Sequence, residues 1–363
     1  MSMLTTHSDY MKFALQLAER GRYTVSPNPM VGCIIVNQDK IVGQGYHQHA
    51  GGPHAEVLAL QQAGREAKGA TAYVTLEPCC HYGKTPPCTE ALIKAGIRKL
   101  FVATSDPNPL VAGRGLQQLK EAGIEIEYGL HEQEAILLNE IFFHFIRTQQ
   151  PFVIAKWAMS LDGKTITHTK DVNDISSPAS REFSHHTRQQ VDAILIGANT
   201  ARLDNPVLTV RYPAENITTI KQPLRIVLTK QGDLPLNLKL LDSGSTLVIT
   251  TTLANSDWIN ALSHKNIEVM ILPSHKNGNI DINHLLTQLG KRNISSLLVE
   301  GGMTVLQDFF HANKVNKIHV YLAPTIIGSM EKKQPVCNVK LTHIETDFLI
   351  TADYQGEQLC SVE

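Results

Sequence analysis

No apolar run in the 363-residue chain approaches the roughly 18 to 20 residues that cross a bilayer, so no membrane-spanning helix is expected. A cationic surplus is also missing: 33 Lys and Arg stand against 34 Asp and Glu, a formal charge of −1. Proteins that hold nucleic acid by its phosphates usually carry a basic excess. A small-molecule substrate is therefore expected, with no nucleic-acid partner. Six cysteines in a chain of this length make no disulfide framework. Cys33, Cys337 and Cys360 stand alone in apolar or mixed surroundings and read as packing. The segment Met1 to His7 has neither the basic start nor the apolar stretch of a secretory signal, which points to the cytoplasm. The G-x-G-x-x-G fingerprint is absent, so any dinucleotide must be held by another α/β arrangement.

What is present is concentrated in two runs, Pro53-His54-Ala55-Glu56 and Pro78-Cys79-Cys80-His81-Tyr82-Gly83-Lys84-Thr85-Pro86-Pro87-Cys88. One imidazole and two thiolates leave the fourth position of a zinc ion open for water, whose proton is then lost near neutral pH. A non-ligand carboxylate must move protons, and Glu56 stands where the zinc-deaminase signature H-x-E with P-C and a further cysteine puts it. The usual cysteine pair in that signature is P-C-x-x-C, and the longer insert here departs from it. An isolated H-x-E is common by chance, and lone cysteines are mostly core residues. Their combination in order is what carries the reading. A structural zinc site would draw a fourth ligand from Cys80 or His81, but it would have no use for Glu56. Adjacency leaves the choice between Cys79 and Cys80 open.

Gly51-Gly52-Pro53 followed by helix formers places His54 and Glu56 in a first helical turn, and Pro86-Pro87 puts Cys88 at a second helix N-terminus. Free N–H groups and the positive dipole end there favour anions and thiolate. Strands are expected at Met30–Val36, Lys40–His47, Ala72–Thr75, Lys99–Ala103 and Ile124–Tyr128. Helices are expected at Tyr10–Glu19, Val57–Ala63, Thr89–Ala95, Leu116–Ala122 and Glu132–Ile146. This alternation means a layered α/β sheet. Arg147 to Pro151 is a polar, proline-ended joint, dividing domains 1–147 and 151–363. The second half alternates again, with strands at Phe152–Ala158, Ala193–Gly197, Leu224–Leu228, Thr246–Thr250, Glu268–Leu272, Ser296–Val299 and Lys317–Leu322. Its helices fit Pro178–Gln190, Ile282–Lys291 and Thr304–His311.

Leu298-Val299-Glu300-Gly301-Gly302-Met303-Thr304 runs from strand through diglycine into helix, where backbone N–H groups can approach a phosphate. A tight turn alone would look the same. Arg188 and Arg211 are either solvated charges or bidentate phosphate ligands.

Taken together these stretches resemble, over essentially the whole chain, the bifunctional deaminase/reductase family of riboflavin biosynthesis. The resemblance is carried by Pro27-Asn28-Pro29, Val31-Gly32-Cys33, Gly45-Tyr46-His47, Pro53 to Glu56, the long cysteine segment and Asp106-Pro107-Asn108-Pro109. It implies an N-terminal cytidine-deaminase-like α/β domain and a C-terminal dihydrofolate-reductase-like α/β domain. It implies Zn2+ on His54, Cys79 and Cys88, with Glu56 as proton shuttle and Cys80 at a position that is often serine. Asn28, His47, Lys84 and Asn108 match positions that hold a pyrimidine ribosyl phosphate, the substrate deaminated first. NADPH then reduces the ribosyl group to a ribityl chain. Lys156 and Glu300 match positions near that chemistry, Arg188, Leu208 and Arg211 the substrate side, and Ala158, Thr200, Asp204 and Gly302 the dinucleotide side. A homo-oligomer is also implied. Where the family reads glycine-x-serine-x-tryptophan-isoleucine-threonine, the chain has Lys170 to Ser176, so that Val172 replaces a substrate serine and Asp174 a cofactor-side tryptophan. That substitution keeps open a second reading, a deaminase with a degenerate reductase half.

Overall fold

The structure, a computed structural model, describes residues 6–82, 86–109, 111–165, 175–212, 220–242, 245–275, 278–328, 334–344 and 347–354. It divides into two units, Met1–Phe152 with Leu285–Ser296, and Val153–His284 with Leu297–Glu363. No helix among the described residues is long and apolar enough to cross a membrane.

The first unit runs α1 (His7–Glu19), β1 (Gly32–Asn37), β2 (Lys40–Tyr46), α2 (Ala55–Ala63), β3 (Thr71–Val74), α3 (Cys88–Ala95), β4 (Lys99–Val102), α4 (Arg114–Glu121), β5 (Glu125–Tyr128), α5 (Glu132–Leu138) and α6 (Glu140–Thr148). Its sheet has the order β2-β1-β3-β4-β5. Strand β1 is antiparallel to both neighbours, while β3, β4 and β5 run parallel. Successive strand residues point to opposite faces, and both faces are covered. Ile34, Val36, Tyr73 and Phe101 pack with Tyr10, Met11 and Ala14 of α1. Cys33, Ile35, Ala72, Val74, Leu100 and Val102 pack with Ala55, Ala59, Leu92 and Leu119. Cys33 is thus a core side chain.

Helix α2 lies directly on β2. A Cβ on Gly45 would stand 2.4 Å from the Ala55 carbonyl oxygen, a separation that only glycine permits. The close approach fixes where α2 begins, and with it the position of His54 and Glu56.

The helix expected over Glu132–Ile146 is divided at Asn139, whose backbone leaves the helical region (φ −109°, ψ 24°). The reason is a tertiary contact. Asn139 is buried, its Oδ1 accepts the Met30 N–H at 2.8 Å, and its Nδ2 donates to the Met30 carbonyl at 2.9 Å. One side chain thereby pairs a loop residue as a neighbouring strand would. Asn139→Leu strands both Met30 groups and is expected to cost about 1–3 kcal/mol, read as a lowered denaturant midpoint with a raised KM for deamination.

The chain continues with β6 (Phe152–Ser160), α7 (Pro178–Gln190), β7 (Ala193–Gly197), α8 (Ala198–Asp204), β8 (Leu224–Leu228), β9 (Thr246–Thr250), α9 (Ser256–His264), β10 (Glu268–Ile271), α10 (Ile282–Lys291), β11 (Ser296–Glu300), α11 (Met303–His311) and β12 (Lys317–Ala323), which make up the second unit except for Phe152 and Leu285–Ser296. A small antiparallel sheet of β13 (Thr325–Ile326), β14 (Gln334–Ile344) and β15 (Asp347–Tyr354) follows. The large sheet has the order β10-β9-β8-β7-β11-β6-β12. Its ladders β10-β9-β8-β7-β11 and β6-β12 are parallel. The central strands β7, β9 and β11 are buried along their whole length, as covered parallel strands are. Because β11 is inserted between β7 and β6, chain connections leave in opposite directions there. A crevice opens at the carboxyl ends of the strands, the usual ligand position in such sheets.

Helices α8 and α9 and the last three strands are absent from the sequence expectation. Helix α8 buries only Ala201 and shows no apolar period, whereas α9 presents Trp258, Ile259 and Leu262 on one face, an apolar period that the sequence expectation passed over.

Candidate active sites

In the first unit three elements meet at one point. His54 is the N-cap of α2, one position before the first turn, with extended backbone (φ −75°, ψ 161°). Cys88 is the first residue of α3 after Pro87, and Cys79 lies in the loop after β3. His54 Nδ1 stands 3.1 Å from Cys88 Sγ and 3.5 Å from Cys79 Sγ. The ligand atoms of all three lie within 4.8 Å of one another. Cys80 is outside this group. Bond lengths of about 2.0–2.3 Å in a tetrahedral zinc site place ligand atoms about 3.5–3.8 Å apart, so the donor set fits zinc. The Cys88 backbone N–H donates to Cys79 Sγ at 3.4 Å. The bond between the two thiols lowers the pKa of Cys79, with help from His54, and raises that of Cys88, so one proton is shared between sulfurs that a metal would bind as thiolates.

Glu56, in the first turn of α2, is buried, and its Oε2 has no hydrogen-bond partner among the described residues. Burial pushes its carboxyl upward despite the neighbouring His54. An unpartnered buried carboxylate oxygen beside a three-ligand cluster suits proton transfer and not ligation.

Asn28 and His47 form a second shelf. His47 Nδ1 donates to the Pro53 carbonyl at 3.1 Å, which leaves Nε2 to accept from Asn28 Nδ2 at 3.1 Å. The His47 ring stands edge-on to His54, with centroids 5.5 Å apart, and burial lowers its pKa. Asn108 is placed by its N–H bond to Asp106 Oδ1 at 2.8 Å. Sequence reasoning missed what holds this loop. The buried carboxylate of Glu77 accepts the backbone N–H groups of Asp106, Gly113, Gly115 and Leu116 at 3.0–3.3 Å. Its place directly before Pro78-Cys79 was the only available signal. Lys84, Val172 and Asp174 lie outside the described residues.

In the second unit Glu300, at the end of β11, is gripped bidentately by Arg188 of α7, with Nε–Oε1 2.8 Å and Nη2–Oε2 2.7 Å. Lys156 of β6 stands 3.9 Å from Oε2. Burial alone would raise the Glu300 pKa, but Arg188 and then Lys156 hold it at about 2. The Arg188 fork is thus occupied by protein, while Arg211 is exposed. Leu208 is buried with left-handed backbone (φ 57°), which costs a branched residue and marks a constrained loop. The crevice at the strand ends, ≈ 270 Å³, is lined among others by Thr200, Arg202, Lys230, Gly302 and Thr304. Gly301 and Gly302 both have positive φ (96° and 66°), and a Cβ on either would reach Thr200 at 3.0–3.1 Å. The glycines, the start of α11 and Lys230 make a cradle for a phosphate-bearing cofactor, while Arg202 is paired with Asp233 and Asp308 also lines the crevice. Ala158 is half-buried on β6 and Asp204 exposed at the end of α8.

A His/Cys/Cys cluster beside a buried glutamate, joined to a parallel-sheet nucleotide crevice with a Lys-Glu-Arg group, defines a zinc-dependent deaminase fused to an NADPH-dependent reductase. Residues 4–104 match the cytidine and deoxycytidylate deaminase zinc-binding region, and residues 151–349 match the RibD C-terminal domain. The chain belongs to the RibD family, the bifunctional deaminase/reductases of riboflavin biosynthesis. It is 42% identical to riboflavin biosynthesis protein RibD of Aquifex aeolicus over 94% of this chain and 97% of that protein. With the Escherichia coli protein it shares 43% identity over 88% of each. The solved Acinetobacter baumannii RibD superposes with a TM-score of 0.80 at 37% identity, covering 96% of this chain and 98% of that one. The first unit is accordingly cytidine-deaminase-like and the second dihydrofolate-reductase-like.

Proposed function

We propose that residues 1–147 deaminate a diaminopyrimidinone ribosyl phosphate and that residues 151–363 then reduce its ribosyl group to ribityl. The observation that supports the first step best is the convergence of His54, Cys79 and Cys88 beside the unpartnered Glu56 oxygen. Zinc bound by these three ligands supplies the Lewis acidity that makes water a nucleophile near neutral pH. Glu56 takes the proton of that water and delivers it to the departing amine, as its burial suits. Asn28, His47, Lys84 and Asn108 hold the pyrimidine and its ribose phosphate.

NADPH supplies the hydride for the second step, held by Ala158, Thr200, Asp204 and Gly302. Glu300 stays ionised against Arg188, so it orients and does not donate. The Lys156 ammonium is the group left to protonate the sugar oxygen. Arg188, Leu208 and Arg211 form the substrate side. The near-zero charge supports a small substrate over nucleic acid, and the sequence supports a cytoplasmic location. Ile318, Val320 and Leu322 on the outermost strand β12 are 51%, 40% and 39% exposed. Such an apolar edge supports pairing with a second copy.

Incubating the protein with the diaminopyrimidinone phosphate and NADPH is expected to release ammonia and consume NADPH in equal amounts, with one zinc per chain by elemental analysis. Ammonia without NADPH oxidation would leave only the deaminase. Absence of stoichiometric zinc would overturn the first site.

A further inference from the structure

We propose that His185 is a positioning residue of the reductase site, one that holds Arg211 in place as a neutral imidazole; this rests on the assignment of Arg211 to the substrate side.

Residues 209–211 belong to no strand, and side chains take the place of strand partners. On one edge the Val210 N–H donates to Gln222 Oε1 at 2.8 Å and the Val210 carbonyl accepts from Gln222 Nε2 at 3.1 Å. On the other edge the Arg211 N–H donates to His185 Nδ1 at 3.2 Å, and Arg188 Nη1 donates to the Thr209 carbonyl at 3.4 Å. The imidazole bonds to the Thr209 backbone as well. Arg211 presents only donors to the ring, its backbone N–H toward Nδ1 and its Nη2 toward Nε2 at 3.4 Å, so a neutral ring accepts from Arg211 at one nitrogen and carries its single proton on the other. A doubly protonated ring could accept from neither Arg211 group, so a second proton would remove that bond.

The surroundings favour the neutral ring. His185 is 2% exposed. Facing it are Arg188 on its own helix, Arg211 and the Tyr212 ring (centroids 5.1 Å apart) on the loop, and Glu300 on β11. Lys156 of β6 and Tyr321 of β12 stand beyond Glu300. Burial, then the two guanidinium groups, hold the imidazole down to about 4. Among the described residues the facing anion, Glu300, is already committed to Arg188.

The test uses the full chain supplied with the deaminated substrate. His185→Leu is expected to raise KM about tenfold, the worth of one lost buried hydrogen bond, with kcat, NADPH affinity and ammonia release little changed. His185→Asn places an amide oxygen near the Nδ1 position and is expected to recover most of the loss. Between pH 6 and 4 the kcat/KM of the unaltered protein falls with pH, while the His185→Asn variant lacks that acid limb. An acid limb retained in the His185→Asn variant overturns the proposal even if His185→Leu fails to fold. An Arg211→Ala variant with unchanged KM removes the underlying assignment and the proposal together. A raised KM for Arg211→Ala beside an unchanged KM for His185→Leu leaves the assignment standing and overturns the positioning role.

Discussion

Glu56→Gln is expected to lower ammonia release by about 100- to 10,000-fold, the span of general acid/base catalysis, while zinc stays at one per chain. The amide keeps the shape of the carboxylate but cannot accept and return a proton. His54, Cys79 and Cys88 are untouched, and Cys33, the other group that Glu56 faces electrostatically, is a core thiol that burial already keeps protonated. NADPH oxidation on the deaminated substrate should not change, because no reductase residue is altered. Joint measurement of metal content and ammonia decides the role. Loss of zinc in step with activity would mean that Glu56 supports the metal site structurally and moves no proton.

Arg188→Leu is expected to destabilise the second unit by about 3–5 kcal/mol, the cost of leaving a buried charge without its partner. The side chains of Arg188 and Glu300 are only 12% and 9% exposed, so water cannot replace the lost bonds. Denaturant unfolding followed by Trp157 and Trp258 fluorescence reads this directly, since both tryptophans lie in the second unit. A double Arg188→Leu, Glu300→Leu variant should recover part of the loss, because it removes the stranded charge. Equal stability of the single and double variants would show that the pair does not govern the fold.

The same groups set an acid dependence. Glu300 is held at about 2 against an ordinary 4.5, so its contribution is complete above the higher value and is lost as pH falls from about 4.5 to 2. His185 is held at about 4 against 6.5; its unfolded form binds the proton first, and stability is lost as pH falls through that window. Both act in one direction, so the second unit weakens from about pH 6.5 downward. Unfolding curves at pH 7, 5.5 and 4.5 check the sign.

Most of the elements were legible because the continuous apolar runs of β1, β3 and β4 and of the buried parallel strands are written in the local sequence. The chemistry of the zinc site was legible for a similar reason: His54, Glu56 and Cys88 sit at helix starts signalled by Pro53 and Pro86-Pro87. Less was visible where partners come from far along the chain. Asn139 breaks a helix for the sake of Met30, and Glu77 ties two amides of a loop and two of the first turn of α4, 29 to 39 residues away. His185 and Gln222 act as strand partners for residues 209–211, which no periodicity announces.

By itself, then, the amino-acid order determined the family chemistry, the α/β alternation and the short list of candidate metal-ligating residues, because each depends on residues close in sequence or on a known pattern. Spacing left Cys79 and Cys80 open and the family resemblance named Cys79, whose Sγ the tertiary structure brings to His54 and Cys88; only that structure decided that Arg188 is committed to Glu300 and that buried amides and carboxylates brace both sites. Those outcomes depend on which distant side chains meet in a water-free interior, where every polar group requires a partner, and spacing along the chain does not encode that meeting.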